Sequence, residues 1–295
     1  MKNNIKRTFI IGDEWIYFKI YTGVKTADLI LINHLDSLLN GLVTESIIDK
    51  WFFIRYSDPD FHLRLRLHVT DKSKLIDIIN LINIEFNYLI ELDLIWKVQI
   101  DTYNRELERY GFSFTEQSET LFYYDSKMIM NALKVFEINE CPNLKWLFGL
   151  MAIDAFIDAF NLSLVEKKEL METLKINFGK EMGLDKSLKK QLRSKYEKHK
   201  FDIDSYINKK LLPEEYELIT LLEIKSLSIC NSIKIIKNNN INSINIGYLI
   251  SSHIHMIMNR LFRTKNRRNE FVCYQMLYFY YESKIARLKY DKKYV

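Results

Sequence analysis

Apolar and polar positions alternate strictly from Glu14 to Thr22, with Ile16, Phe18 and Ile20 on one side and Trp15, Tyr17, Lys19 and Tyr21 on the other. That period of two predicts a strand with one wholly apolar face and one aromatic face carrying a single amine. From Thr26 to Leu42 the period changes, and Leu29, Ile32, Leu35, Leu38 and Leu39 form a stripe at helical spacing. Trp51 to Tyr56 reads as a second strand ending at the Ser57-Asp58-Pro59-Asp60 turn, and Phe61 to Val69 as a third. A helix is expected over 73–90 and a fourth strand over 94–101. Beyond Thr102 the pattern turns helical and stays so, with helices over 115–136, 143–160, 163–175, 185–200, 213–238, 245–263 and 267–288. Pro142 and Pro213 sit at two of the starts. The run from Lys237 to Asn242 reads as a loop, and no internal repeat occurs. Together these elements predict an α+β fold: a small mixed β-sheet in the N-terminal third, a large helical remainder packed on it, and one domain over 1–295.

Composition narrows the class. A chain of 295 residues, 48% hydrophobic and 27% charged, has enough apolar surface for a sizeable core and is neither a disordered tail nor a disulfide-stapled miniprotein. Eight Gly and three Pro leave few breaks, which favours long regular elements. A formal net charge of +5 is too mild to indicate nucleic acid. The basic run from Lys186 to Lys200 lacks the interleaved aromatics of a single-strand binder, so a solvated helix side is the favoured account. Cys141, Cys230 and Cys273 are far apart and form no metal-ligand spacing, which leaves free thiols in a reducing compartment. The apolar run before Asp13 is too short for a signal peptide, and no stretch reaches the roughly 18 apolar residues of a membrane span. A cytoplasmic protein is expected, with no direct nucleic-acid or membrane contact, and no motif implies a metal or another cofactor.

Three clusters carry candidate chemistry. In the third strand the period of two puts His62, Arg64, Arg66 and His68 on one face. Guanidiniums two residues apart repel unless an anion lies between or above them, and arginine suits bidentate binding of a carboxylate or phosphate. The competing account is a solvent-facing strand whose arginines meet acidic neighbours. The second cluster runs from Thr102 to Gly111; if helical, Arg105 and Arg109 share a face, and Gly111 stops the turn. Taken alone, a salt-bridged surface turn is the favoured account. The third runs from Ser251 to Arg260, where His253 and His255 point roughly 200° apart on a helix and cannot share a metal. His255 and Asn259 do share a face, although a lone histidine on an apolar helix is more often part of the core. From the residues alone, an anion-recognising α+β protein with a candidate acid–base histidine follows.

In this order the clusters resemble a known family, the C-terminal elimination domain of class I lantibiotic dehydratases, which also occurs as free-standing thiopeptide-type bacteriocin biosynthesis proteins. The matching stretches are Trp15 to Tyr21, Trp51 to Pro59, His62 to Arg66, Thr102 to Gly111, Glu119 to Ser126 and His255 to Arg260. They span nearly the whole chain. Phe112 departs from the pattern, which commonly has a second glycine after Gly111. In that family, Ser and Thr of a ribosomally made precursor peptide are esterified with glutamate from glutamyl-tRNA, and the elimination domain expels the glutamate to leave dehydroalanine or dehydrobutyrine. The resemblance implies a lyase, the eliminating half of a split dehydratase. Its partners would be the precursor peptide and a separate tRNA-dependent glutamylation protein; a homodimer is compatible with it.

Carry-over lands on Arg66 and Arg105 as catalytic and on Arg64 as glutamyl-binding, with His255 handling the proton. Asn259 would help to orient it, and Lys19, Tyr103 and Arg109 stand second as substrate-binding residues. Elimination calls for these residue types, because it needs a base for the Cα proton and a pocket for a departing carboxylate. Two rivals stand beside it. One is a pyridine synthase that joins two dehydroalanines by a formal cycloaddition. The other is a non-catalytic subunit that captures the precursor by strand addition.

Overall fold

The computed structural model describes residues 5–139, 143–239 and 244–291. The chain divides into two compact units, Met1–Lys134 with Asn231–Asn245, and Val135–Cys230 with Ile246–Val295.

The first unit is built on a sheet. Strands β1 (Thr8–Phe9), β2 (Trp15–Thr22), β3 (Ile48–Ser57), β4 (Phe61–Val69), β5 (Ile95–Ile100) and β6 (Tyr103–Asn104) make a four-stranded sheet of order β3-β4-β2-β5 and a short β1-β6 ribbon. Every pairing is antiparallel, where a mixed sheet was expected. The 58–60 turn is tight enough to return β4 alongside β3, so no crossover is required.

Both faces of β2, the apolar and the aromatic, are buried. On the first face Phe18 meets Phe86 edge-on at 5.8 Å from the helix α3 (Leu75–Glu91). The second face is closed by Trp15, Phe52, Tyr103 and Phe122, whose rings pack at 5.3–6.1 Å. Tyr103 comes from β6 and Phe122 from the helix α5 (Thr115–Ile138).

Between β2 and β3 the expected single helix is broken into α1 (Thr26–Leu29), a π-wound segment (Ile30–Leu35) and α2 (Asp36–Thr44). A π turn takes more residues per revolution than an α turn. The buried row therefore steps by fours through Ala27, Leu31, Leu35 and Leu39, and Leu29 of the expected stripe is exposed. Arg55 of β3 reaches Asp28 of α1 in a buried ion pair at 2.5 Å. The short helix α4 (Leu107–Tyr110) ends at Gly111 with φ +86°, where a Cβ would fall 2.3 Å from the Phe114 ring. The turn thus forms with one glycine, and Phe112 simply faces solvent.

The second unit is helical: α6 (Leu144–Ala159), α7 (Leu164–Glu181), α8 (Lys186–Ile207), α9 (Tyr216–Asn239) through Cys230, α10 (Ile246–Leu261) and α11 (Asn266–Asp291). Ser163 and Glu166 close a capping box at the start of α7, and Asp185 caps α8. Helices α7 and α8 run longer than expected: Arg267 meets Glu181 in the last turn of α7, and on α8 the buried row continues through Ile203 and Tyr206, with Arg287 meeting Asp204 at 3.3 Å. Pro213 opens a 3₁₀ turn before α9. Helix α9 runs on through Lys237, Asn238 and Asn239, where a loop was expected; the rest of that run, like Cys141 and Pro142, lies outside the described residues. The basic run on α8 is a solvated face, with Glu197 between Arg193 at 3.0 Å and Lys200 at 3.2 Å. Cys230 is exposed and Cys273 buried, and burial pushes the Cys273 thiol up to about 12. Among the described residues no helix is long and apolar enough to cross a membrane.

Candidate functional site

The alternation in β4 is borne out, and it places the basic residues on the face that Trp15, Tyr17 and Phe52 share. That face is not open to solvent. Arg66 is buried, with its guanidinium carbon 4.6 Å from the Tyr17 ring centre, 4.6 Å from Tyr103 and 5.2 Å from Phe52. Aromatic faces attract a cation, which offsets part of its desolvation. Yet Nε has no hydrogen-bond partner, and no carboxylate pairs with Arg66 among the described residues. Burial pulls its pKa below the usual arginine value, against the neighbouring tyrosines. Arg64, two residues earlier, lies 3.4 Å over the Tyr56 ring, and its Nε donates to His62 Nε2 at 3.2 Å. It too has no carboxylate partner among the described residues.

The second cluster is not one helix. Tyr103 and Asn104 pair with β1, and α4 begins only at Leu107, so Arg105 and Arg109 do not share a helical face. The apolar side of a helix is missing here: Tyr103 must enter the sheet face, and that pins the backbone in extended form. Arg105 is buried and bidentate to Glu119 of α5, with Nε and Nη2 each donating at 2.7 Å. Nη1 donates to the Lys6 carbonyl at 3.1 Å, and Tyr103 Oη donates to Glu119 Oε1 at 2.9 Å. Burial, reinforced by Glu119, lifts the Tyr103 pKa well above its ordinary value. Lys19 is paired with Asp101, and Arg109 with Glu106 at 3.3 Å. Arg66 and Tyr103 are thus brought together, Arg105 reaches Tyr103 through Glu119, and Lys19 and Arg109 hold carboxylates of their own.

In the helical unit, α10 separates its two histidines as the spacing requires. His253 is buried against Phe156, whereas Ser251, His255 and Asn259 lie on the half-exposed side. His255 Nδ1 donates to Glu270 Oε2 at 2.9 Å. The carboxylate accepts only, so Nδ1 carries a proton, which in the neutral ring leaves the lone pair on Nε2. Glu270, on α11, is almost fully buried; its Oε1 accepts from Tyr274 at 2.6 Å, and burial beside it raises the Tyr274 pKa well above the usual value. Arg267 pairs with Glu181 and lies 3.9 Å from Glu270. Sequence reasoning missed Glu270 and Glu119, since each is remote in sequence from the residue it holds. The available signal was a charged residue on an otherwise buried helical stripe.

Comparisons with known proteins follow this geometry. A family model described as lantibiotic biosynthesis dehydratase C-term matches residues 15–281. Subtilin biosynthesis protein SpaB of Bacillus subtilis is 25% identical over 263 residues, covering 85% of this chain and 24% of its own length. Epidermin biosynthesis protein EpiB of Staphylococcus epidermidis is 23% identical over 92% of this chain and 25% of its length. The chain therefore spans about a quarter of the curated relatives it matches. Among solved structures, the tRNA-dependent lantibiotic dehydratase MibB from Microbispora sp. 107891 superposes with a TM-score of 0.77 at 19% identity, over 95% of this chain and 29% of that one. The pyridine synthase TbtD from thiomuracin biosynthesis superposes with a TM-score of 0.62 at 13% identity, over 90% and 97%. At those identities the likeness is one of fold.

Proposed function

The chain belongs to the lantibiotic biosynthesis dehydratase C-terminal family, and from that premise we propose that it eliminates glutamate from glutamylated Ser or Thr of a ribosomally made precursor peptide. The observation that carries this reading is Arg66, a buried guanidinium with aromatic walls and no carboxylate of its own among the described residues. A cation held in that state is a site for an anion, and the departing glutamate is one.

In the proposed reaction Arg66 and Arg64 hold the glutamyl carboxylate and stabilise charge as the ester oxygen leaves. Nε2 of His255, fixed by Glu270, takes the Cα proton. The C–H electron pair becomes the Cα–Cβ double bond, and the C–O pair departs with the glutamate carboxylate. Arg105 acts through Glu119, which fixes Tyr103 against Arg66. Lys19 and Arg109 bind the peptide, and Asn259, one turn on from His255, helps to orient that ring. Both units together make one elimination domain over 1–295, working in the cytoplasm beside a separate glutamylation protein that handles the tRNA.

The test is mass spectrometry of a peptide bearing one glutamyl-serine ester, with and without the protein. Enzyme-dependent release of free glutamate with dehydroalanine left behind is expected; an ester that stays unchanged in the presence of leader and glutamylating partner would sink the reading. A second reading, pyridine synthesis, has the near-complete coverage of TbtD in its favour. Cycloaddition of a peptide with two dehydroalanines would select it.

A further inference from the structure

Strands β3 and β4 pair residue for residue except at one point. Ile48 opposes Val69 and Lys50 opposes His68, which leaves Asp49 as the extra residue of a β-bulge. A bulge re-aims the side chain it inserts, and bulges gather beside functional sites. Here the Asp49 carboxylate accepts from His68 Nδ1 at 2.5 Å, while the His68 ring packs 4.9 Å from Trp15. The imidazole is held on two sides, and Nε2 has no hydrogen-bond partner among the described residues. His68 shares its face with Arg64 and Arg66 but has no part in the reaction above.

His68 lines a cleft of about 470 Å³ with Lys6, Glu14, Arg105, Ser113 and Glu116. Several of these are already committed: Lys6 to Asp13 and Glu14, Glu14 also to Lys72, and Arg105 to Glu119. Left over among the described residues are His68 Nε2, the Ser113 and Thr115 hydroxyls, the Glu116 carboxylate and the Gln117 amide. With Nδ1 held by Asp49, Nε2 points the other way, and carrying a proton it donates to an anion. Glu116 is an acceptor for an ammonium.

We propose that this cleft binds a free α-amino acid as its zwitterion, with the carboxylate on His68 and the ammonium on Glu116. The choice of amino acid rests on the elimination reading, which makes the occupant the released glutamate. Asp49 is a positioning residue that acts through His68.

The test uses the full chain with ¹⁵N-labelled histidine and follows the imidazole nitrogens as L-glutamate is added, with His68→Gln identifying the signals. Saturable movement of the His68 signals is expected. Affinity should fall about tenfold in Glu116→Gln and for glutarate, which lacks the ammonium. Asp49→Asn should redistribute the two His68 tautomers and weaken binding with helix content unchanged, a readout that a merely structural carboxylate would not move. Silent His68 signals overturn the inference, as does equal response to glutarate and glutamate. Turnover of the glutamyl ester by the same preparation separates the two ideas. Conversion with His68 silent removes the cleft and keeps elimination, whereas saturable glutamate binding without conversion keeps the cleft as an amino-acid site and counts against elimination.

Discussion

In the sheet unit the polar groups of the candidate site are cations held among rings: Arg66 lies between Tyr17, Tyr103 and Phe52, and Arg64 over Tyr56. In the helical unit the corresponding group is an imidazole held by a buried carboxylate, His255 on Glu270, which in turn takes the Tyr274 hydroxyl. The first arrangement leaves a positive charge without a carboxylate among the described residues, which suits the anion-holding role proposed for it. The second fixes one nitrogen and leaves the other unengaged, which suits the proton-moving role proposed for it. Arg105 makes the contrast sharp within the sheet unit itself. It is as deeply buried as Arg66, yet Glu119 neutralises it through two hydrogen bonds. Burial alone does not mark a binding arginine; burial without a carboxylate does.

The largest expected effect tests the proton-moving half. His255→Ala should lower dehydroalanine formation by about 10²–10⁴-fold, read by mass spectrometry, with the circular dichroism unchanged because the side chain is half-exposed. Glu270→Gln should cost less, about tenfold, since the ring keeps a partner but loses its charge. Full turnover by the alanine variant would break the comparison, leaving the helical unit without chemical work.

Next comes the anion-holding half. Arg66→Lys should reduce kcat/KM by about 10²–10³-fold, since an ammonium keeps the charge but not the bidentate fork. Arg66→Met should abolish turnover yet leave stability equal or higher, because the desolvated charge is gone. Arg105 should behave in the opposite way. Glu119→Gln, which leaves that guanidinium buried without its anion, should cost about 3–5 kcal/mol in urea denaturation. If Arg66→Met destabilises as much as Glu119→Gln, Arg66 is a structural residue, and the distinction between the two arginines collapses.

The fold was largely legible because its elements are long and periodic. The alternation in β4 and the apolar rows of α5 to α11 located those elements, since burial of one face imposes the period. The path from α1 to α2 was misjudged, because a π turn changes the period without changing composition. The site was half legible. Arg66, Arg64 and His255 stand in patterns a period exposes, whereas their partners are set by tertiary packing. Arg105 shows the limit best. As part of a run of charges it looked like one side of a short helix, but Tyr103 enters the sheet face and draws that backbone out straight.

The smallest effect is a pH dependence that divides the two ends of β4. His62 is fully buried; its Nδ1 donates to the Asp60 carbonyl at 2.9 Å, and Nε2 accepts from Arg64 Nε. The contact from Arg64 requires the neutral ring, because a protonated Nε2 cannot accept. Burial lowers the His62 pKa, helped by the charges of Arg64 and Lys19 and opposed by the Asp60 carbonyl. A folded-state pKa below the unfolded one means that the unfolded chain binds more protons between the two values. The contribution of His62 is therefore complete above the ordinary imidazole value of about 6.5, and is lost as pH falls through that value toward the folded one. At the other end, burial pushes the Asp49 carboxyl up but is outweighed by the His68 hydrogen bond and the Lys50 charge, so its pKa is lowered. Its contribution holds above about pH 3.9 and goes only in stronger acid. Denaturation midpoints measured across this range should fall in two steps, with the upper step absent in His62→Gln and the lower one absent in Asp49→Asn. An upper step that survives His62→Gln means that the ring is already charged in the fold, and then Arg64 would be held by something other than a neutral imidazole.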